Sequence, residues 1–204
     1  MCIRDSGYLE EKLKKNQDYL LLVLGGPNKY YDYKDQNLMN IFDKNQLYIG
    51  IAPGAGEKNK IWPIENYIKI ANFFEKKSYK IVFFLGPQEK FIKEKLRNIF
   101  PKAIFPEEKI EDFSGPEVVM ATTKFLSCAL TNDSGVSHML STNFCPIIKL
   151  FGPKDSDKFT PISDSIHTIS AKEFGSNNIS AISIKHVIEK MEDVLFLSRN
   201  NLKF

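Results

Sequence analysis

Leu47-Tyr-Ile-Gly-Ile-Ala-Pro-Gly-Ala-Gly56, running on through Glu57-Lys-Asn-Lys-Ile-Trp-Pro63, joins an apolar run to a glycine turn and then to a proline-opened helix. The uncharged stretch Leu47 to Ala52 reads as a strand buried on both faces, and Pro53 and Gly54 end it. Pro63 suits a first helical turn, where its missing N–H would have no intrahelical partner. Ile64, Tyr67, Ile68, Ala71 and Phe74 then fall on one face at helical spacing. Strand, turn and helix together form the repeating unit of a parallel α/β sheet.

The unit recurs downstream. Lys80-Ile-Val-Phe-Phe-Leu85 is a second apolar strand closed by Gly86-Pro87, and a charged helix is expected from about Glu89 to Ile99. A short strand is read at Ala103 to Phe105 and a helix over Pro116 to Ser127. Cys128-Ala-Leu-Thr131 is a strand running into Asn132-Asp133, and a helix starts near Ser134 and ends near Asn143. Pro146 to Phe151 and Ser165 to Ile169 are read as the last two strands. The closing helix carries Ile184, Val187, Ile188, Met191, Val194 and Leu195 on one face, with Ser183 as its N-cap. Apolar strands alternating with helices predict an α/β fold, a Rossmann-like doubly wound parallel sheet with right-handed crossovers.

The N-terminal region breaks this pattern. Met1 to Ser6 is set apart as a leader foreign to the fold, an ordinary disordered terminus reading nearly as well, and residues 7–46 are read as the remnant of a preceding domain with its linker. Within that stretch Glu10 to Leu24 reads as a helix ending at Gly25-Gly26-Pro27, with a strand left open for the continuous apolar run Tyr19 to Leu24, and a short helix is placed around Leu38 to Phe42. Residues 47–197 form the Rossmann-like domain and 198–204 a tail. Hydrophobic residues make up 43% and charged residues 26%, an ordinary balance for a globular protein. The net charge of +3, with basic and acidic residues interspersed, argues against a nucleic-acid partner. Cys2, Cys128 and Cys145 are odd in number and lack metal-ligand spacing, which favours free thiols in a reducing compartment. Neither a membrane-spanning run nor a secretory leader is visible, so a cytoplasmic location is expected.

In a doubly wound sheet the ligand lies beyond the carboxyl ends of the strands, and three turns there carry unusual residues. In Gly54 to Lys60, small residues such as Ala55 and Gly56 leave main-chain N–H groups open to an anion, and Lys60 adds a positive charge. A solvated, flexible turn would look the same. In Asp133-Ser134-Gly135-Val136-Ser137-His138 a strand ends, a carboxylate follows and a helix begins, an arrangement suited to a phosphate and to sugar hydroxyls. Asp133 or Ser134 acting only as a helix cap reads equally well. Glu89, just past the second strand, suits a ribose diol or simply a first helical turn.

Taken in order, Ala-Pro-Gly-Ala-Gly56, Lys60-Ile-Trp-Pro63, Leu85-Gly-Pro-Gln-Glu89, Asn132-Asp-Ser-Gly-Val-Ser-His138 and Leu150-Phe-Gly-Pro153 resemble the serial motifs of glycosyltransferase family 9, the lipopolysaccharide heptosyltransferases. The resemblance runs from about Leu47 to Leu195. It implies the C-terminal domain of a GT-B enzyme, which binds ADP-heptose, while the N-terminal domain holds a lipid A–Kdo core acceptor and the catalytic base. Carried over, Ala55, Gly56 and Lys60 would hold the diphosphate and Glu89 the ribose. Asp133 would take the heptose, Ser134 and Gly135 would hold phosphate, and His138 would line the site. Family members often carry hydroxyl residues where this chain has Ala55 and Gly56, which offer main-chain donors alone. The resemblance implies no metal and no cofactor. It also implies peripheral association of an intact enzyme with the inner membrane, and no transfer by a piece lacking the base. Another nucleotide sugar, or a nucleotide-binding module without catalysis, stays open as an alternative.

Overall fold

The computed structural model describes residues 38, 40–109, 115–142, 145–156, 160 and 165–201. The expected leader, the helix over Glu10 to Leu24 and the last three residues of the tail lie outside the described residues.

Among the described residues five strands form one sheet: β1 (Tyr48–Ala52), β2 (Lys80–Phe83), β3 (Cys128–Asn132), β4 (Ile147–Phe151) and β5 (Ile166–Ser170). Their order is β2-β1-β3-β4-β5 and every pairing is parallel. The helices are α1 (Ile64–Lys76), α2 (Lys90–Ile99), α3 (Gly115–Thr122), α4 (Gly135–Leu140) and α5 (Ile184–Asn201). Five of the six strands expected from Leu47 onward form, each within two residues of its expected bounds. The segment Ala103 to Phe105 makes only a single parallel bridge, Val82 to Ile104, at the outer edge of β2. The helix expected over Pro116 to Ser127 stops being α-helical at Thr122 and tightens into a 3-10 turn over Thr123–Phe125. There the Thr122 and Thr123 hydroxyls donate back to the Val118 and Met120 carbonyls, side-chain bonding that competes with a regular ladder.

Alternating strand residues serve two apolar layers. Ile49, Ile51, Ile81, Phe83, Cys128, Leu130, Ile148 and Leu150 pack with α1, α2 and α5, whereas Tyr48, Val82, Ala129 and Ile147 pack with α3 and α4. The second layer reaches back to Leu38 and Phe42, both 1% exposed, and Phe42 stacks on Phe125. A side chain at Gly50 would lie 2.7 Å from Leu126 Cδ1, so the middle of β1 must be bare for the second layer to close. Cys128 and Cys145 are buried free thiols. Among the described residues no helix is long and apolar enough to cross a membrane.

Candidate functional site

From β1 the chain crosses to β2 on one side, while β3, β4 and β5 extend on the other. The junction between β1 and β3 is therefore the point where the winding reverses, the place at which sheets of this kind bind their ligands. Ala52 and Thr131 are paired at the ends of these strands, so the turn carrying Lys60 and the turn carrying Asp133 leave side by side. Lys60 Nζ stands 3.0 Å from Asp133 Oδ2 and 3.3 Å from Glu57 Oε1. The other oxygen of Asp133 is taken by Lys149, whose Nζ is 3.0 Å from Oδ1. One carboxylate thus bridges two ammonium groups.

Electrostatics follow from that bridge. Burial opposes the charge of Asp133, but the hydrogen bonds and charges of Lys149 and Lys60 prevail and hold its carboxyl below the usual range. Burial likewise opposes the Lys60 ammonium, and Asp133 and Glu57 outweigh it and raise its pKa. Both groups are ionised at neutral pH.

Asn132 fixes the two turns relative to each other. It is 0% exposed; its Oδ1 accepts from the Trp62 backbone N–H at 3.2 Å and from the Tyr67 hydroxyl at 2.7 Å. Its amide donates to the Pro53 carbonyl at 2.7 Å. A single side chain at the end of β3 therefore ties down both the start and the close of the turn after β1. Trp62, buried with its indole N–H on the Ile182 carbonyl, anchors that close to the region before α5. The 3-10 turn Lys58–Lys60 is braced from a third side, since a Cβ at Gly152 would come within 2.9 Å of the Asn59 carbonyl oxygen. The bare backbone after β4 is what lets the Lys60 turn seat.

Glu89 joins the same rim. Its carboxylate lies over the first turn, because a Cβ on Gly54 would meet Glu89 Oε1 at 2.6 Å and one on Gly86 would meet Oε2 at 2.9 Å. Ala55 is half-buried and Gly56 exposed, with nothing within 4 Å of where its side chain would stand. Gly135 is similarly open. Ser134 is the N-cap of α4 in extended conformation, yet its hydroxyl makes no capping bond; Oγ is buried without a hydrogen-bond partner among the described residues. Helix α4 has six residues, and the ammonium of this rim, Lys60, is paired with both Asp133 and Glu57. His138 is exposed on α4 and no described hydrogen bond joins it to the Lys60–Asp133 cluster. Among the described residues no group of His, Cys, Asp and Glu is placed to hold a metal ion.

Sequence reasoning passed over Lys149 and Asn132. A lysine inside the apolar strand Ile147–Phe151 looks like a residue turned to solvent; it is 2% exposed. The usable signal was register: Lys149 pairs with Thr131, two residues before Asp133 and on the same face.

The glycosyltransferase family 9 (heptosyltransferase) model matches residues 13–185. Lipooligosaccharide heptosyltransferase 2 of Haemophilus influenzae is 27% identical over 120 residues, covering 57% of this chain and 34% of that protein. Among solved structures, the family 9 glycosyl transferase of Veillonella parvula aligns with a TM-score of 0.69 at 23% identity, over 83% of this chain and 52% of its own. E. coli heptosyltransferase WaaC with ADP-2-deoxy-2-fluoro heptose aligns at 0.62 and 19% identity, over 78% of this chain and 47% of its own. The chain spans about half the length of the solved relatives and a third of the Haemophilus one. Motifs, parallel sheet and family model coincide over the same residues, and the chain belongs to glycosyltransferase family 9, the heptosyltransferases, whose GT-B fold contains such a Rossmann-like domain.

Proposed function

We propose that residues 47–197 are the donor-binding domain of a glycosyltransferase that uses ADP-heptose, acting on a lipopolysaccharide core acceptor. The observation that carries this reading is the 3.0 Å contact between Lys60 and Asp133 across the β1–β3 switch point, where a doubly wound sheet binds its ligand. Lys60 and the main-chain N–H groups of Ala55, Gly56, Ser134 and Gly135 would take the diphosphate. Glu89 would take the ribose hydroxyls, Asp133 the heptose hydroxyls, and His138, exposed at the rim, would approach the sugar only once it is bound. The solved E. coli relative named with an ADP-heptose analogue supports a nucleotide-sugar donor.

In an inverting displacement the acceptor oxygen attacks the anomeric carbon as the bond to the diphosphate breaks, and a base removes the acceptor proton. Lys60 and the main-chain donors stabilise the negative charge that gathers on the departing ADP, with no metal required of this domain. The base, the lipid A–Kdo acceptor and a cytoplasmic site at the inner membrane belong, in this reading, to the full enzyme. Transfer requires the attacking oxygen to be held in line with the anomeric carbon of the bound donor.

Calorimetric titration with ADP and with ADP-heptose tests the assignment. Lys60→Ala should weaken both ligands roughly tenfold, the worth of one charge-assisted hydrogen bond. Asp133→Asn should lower the preference for ADP-heptose over ADP. Equal affinities in the unaltered chain and the Lys60 variant would refute the diphosphate site. Donor binding by a full-length enzyme that never turns over would favour the non-catalytic module, and preference for a different nucleotide sugar would move the donor assignment.

A further inference from the structure

The two lysines on Asp133 are not equivalent. Lys149 stands in the middle of a hydrogen-bonded strand, paired with Thr131 on one side and Thr168 on the other, and its side chain is 2% exposed. Its ammonium also lies 4.9 Å from the Phe151 ring centroid. Lys60 stands on a three-residue turn outside the sheet, its side chain is 17% exposed, and it has a second carboxylate within reach, Glu57, itself 53% exposed. The first contact is held by the sheet; the second is held by a turn and can be remade with little movement of the backbone.

From this asymmetry we infer that Lys149 is a positioning residue that keeps Asp133 oriented and charged from behind, so that Lys60 can leave Asp133 for the diphosphate of an arriving nucleotide. Without Lys149, Asp133 would have Lys60 as its chief counter-charge, and ligand and carboxylate would compete for one ammonium. With Lys149 in place, Lys60 leaves without stripping Asp133 of its partner. Asp133 then meets the sugar as an oriented carboxylate acceptor for hydroxyl donors. The device needs no domain motion, since it turns on the side-chain rotamers of Lys60. It rests on the nucleotide reading for its ligand, but the arrangement around Asp133 can be tested without one.

Two measurements on the 204-residue chain decide it. In the first, the Asp133 carboxyl is titrated by carbon-13 NMR with no ligand present, the charged groups facing it being Lys60 and Lys149, with Glu57 behind Lys60. Lys60→Ala should leave the carboxyl below the ordinary range, and Lys149→Met should shift it upward by more. The reverse order overturns the inference. In the second, ADP is titrated calorimetrically, and Lys149→Met should bind it about tenfold more weakly, within the span of ordinary coupling energies. Lys149→Met/Asp133→Asn should regain the original affinity, because Lys60 no longer has Asp133 to hold it. That recovery is not expected of mere damage to β4. Unchanged affinity in the single variant, or a double variant as weak as the single, overturns the inference. If Lys149→Met does not fold, the Lys60→Ala titration still decides, because an Asp133 carboxyl that returns to the ordinary range in it overturns the inference. If the unaltered chain binds no ADP, the nucleotide reading fails instead, and the NMR order alone settles the role of Lys149.

Discussion

Removing Asp133 and removing Lys60 should cost unequal amounts of stability. Asp133→Ala takes from the Lys149 ammonium, 2% exposed, the carboxylate 3.0 Å away, and breaking a buried pair from one side costs about 3–5 kcal/mol. Lys60→Ala leaves Asp133 with Lys149, and the loss should stay near 1 kcal/mol. Chemical denaturation of both variants checks the contrast; equal losses would mean that the Lys149 contact does not hold Asp133. A second residue controls the pH dependence. Glu107 sits beyond the end of the Ile104 bridge with Oε2 buried and unpartnered among the described residues, and burial pushes its carboxyl up to about 7. The folded chain keeps this proton where the unfolded chain has lost it. The resulting stability is present in full below the ordinary carboxylate value of 4.5 and is lost as pH rises through about 7. Over that window the loss is of order 3 kcal/mol. Asp133, held low, works the other way and withdraws its contribution only as pH falls through its depressed value. Glu107→Gln should flatten thermal stability between pH 5 and 8, and an unchanged slope would remove Glu107 as the cause. Neither Lys149 nor Glu107 was legible in the chain as read. Both are charged residues whose burial is imposed by neighbours distant in sequence, whereas Lys60, Glu89 and Asp133 stood out because each follows a recognisable strand end.

Short connecting elements set the geometry of the rim, and glycine substitutions separate positioning from folding. Gly54→Ala would bring its Cβ within 2.6 Å of Glu89 Oε1, the far end of a flexible side chain that can swing away. Stability should change by less than about 1 kcal/mol, while ADP affinity falls because the carboxylate no longer lies over the first turn. Gly152→Ala instead meets the Asn59 carbonyl at 2.9 Å and Ile179 Cβ at 3.2 Å, so backbone must move. That overpacking should cost roughly 1–3 kcal/mol and displace the Lys60 turn as well. Melting temperatures and ADP titrations on the same two proteins distinguish the effects; a destabilised Gly54 variant or a silent Gly152 variant would contradict the packing described. Asn132→Leu removes the shared partner of the Trp62 N–H, the Tyr67 hydroxyl and the Pro53 carbonyl, at a cost of 1–3 kcal/mol for each group left dry, roughly. Strand elements were readable because a parallel strand covered on both faces is an unbroken apolar run. The 3-10 ending of α3 was not, since Thr122 and Thr123 bond back to carbonyls that periodicity does not register.

At the scale of the molecule, alternation of strands and helices announced a doubly wound sheet but not the neighbour order β2-β1-β3-β4-β5, which depends on which helices share a face. That order is what brings the turns after β1 and β3 together, and it gives the ligand site a global role. A nucleotide gripped there contacts turns from both sides of the winding reversal and should therefore stabilise the domain as one unit. A ligand that binds only the folded form adds about 2.7 kcal/mol at a hundredfold excess over Kd. For a domain of this size that corresponds to a rise in melting temperature of roughly 5–11 °C in a single transition. AMP lacks the second phosphate that Lys60 is proposed to hold, so at equal concentration it should give a smaller rise, and Lys60→Ala should bring the ADP rise down to the AMP value. Scanning calorimetry with ADP, AMP and no ligand reads all three. Equal shifts from ADP and AMP in the unaltered chain would mean that the second phosphate makes no contact with Lys60, and an ADP shift that splits the transition would mean that the site belongs to one side of the sheet rather than to the switch point between its halves.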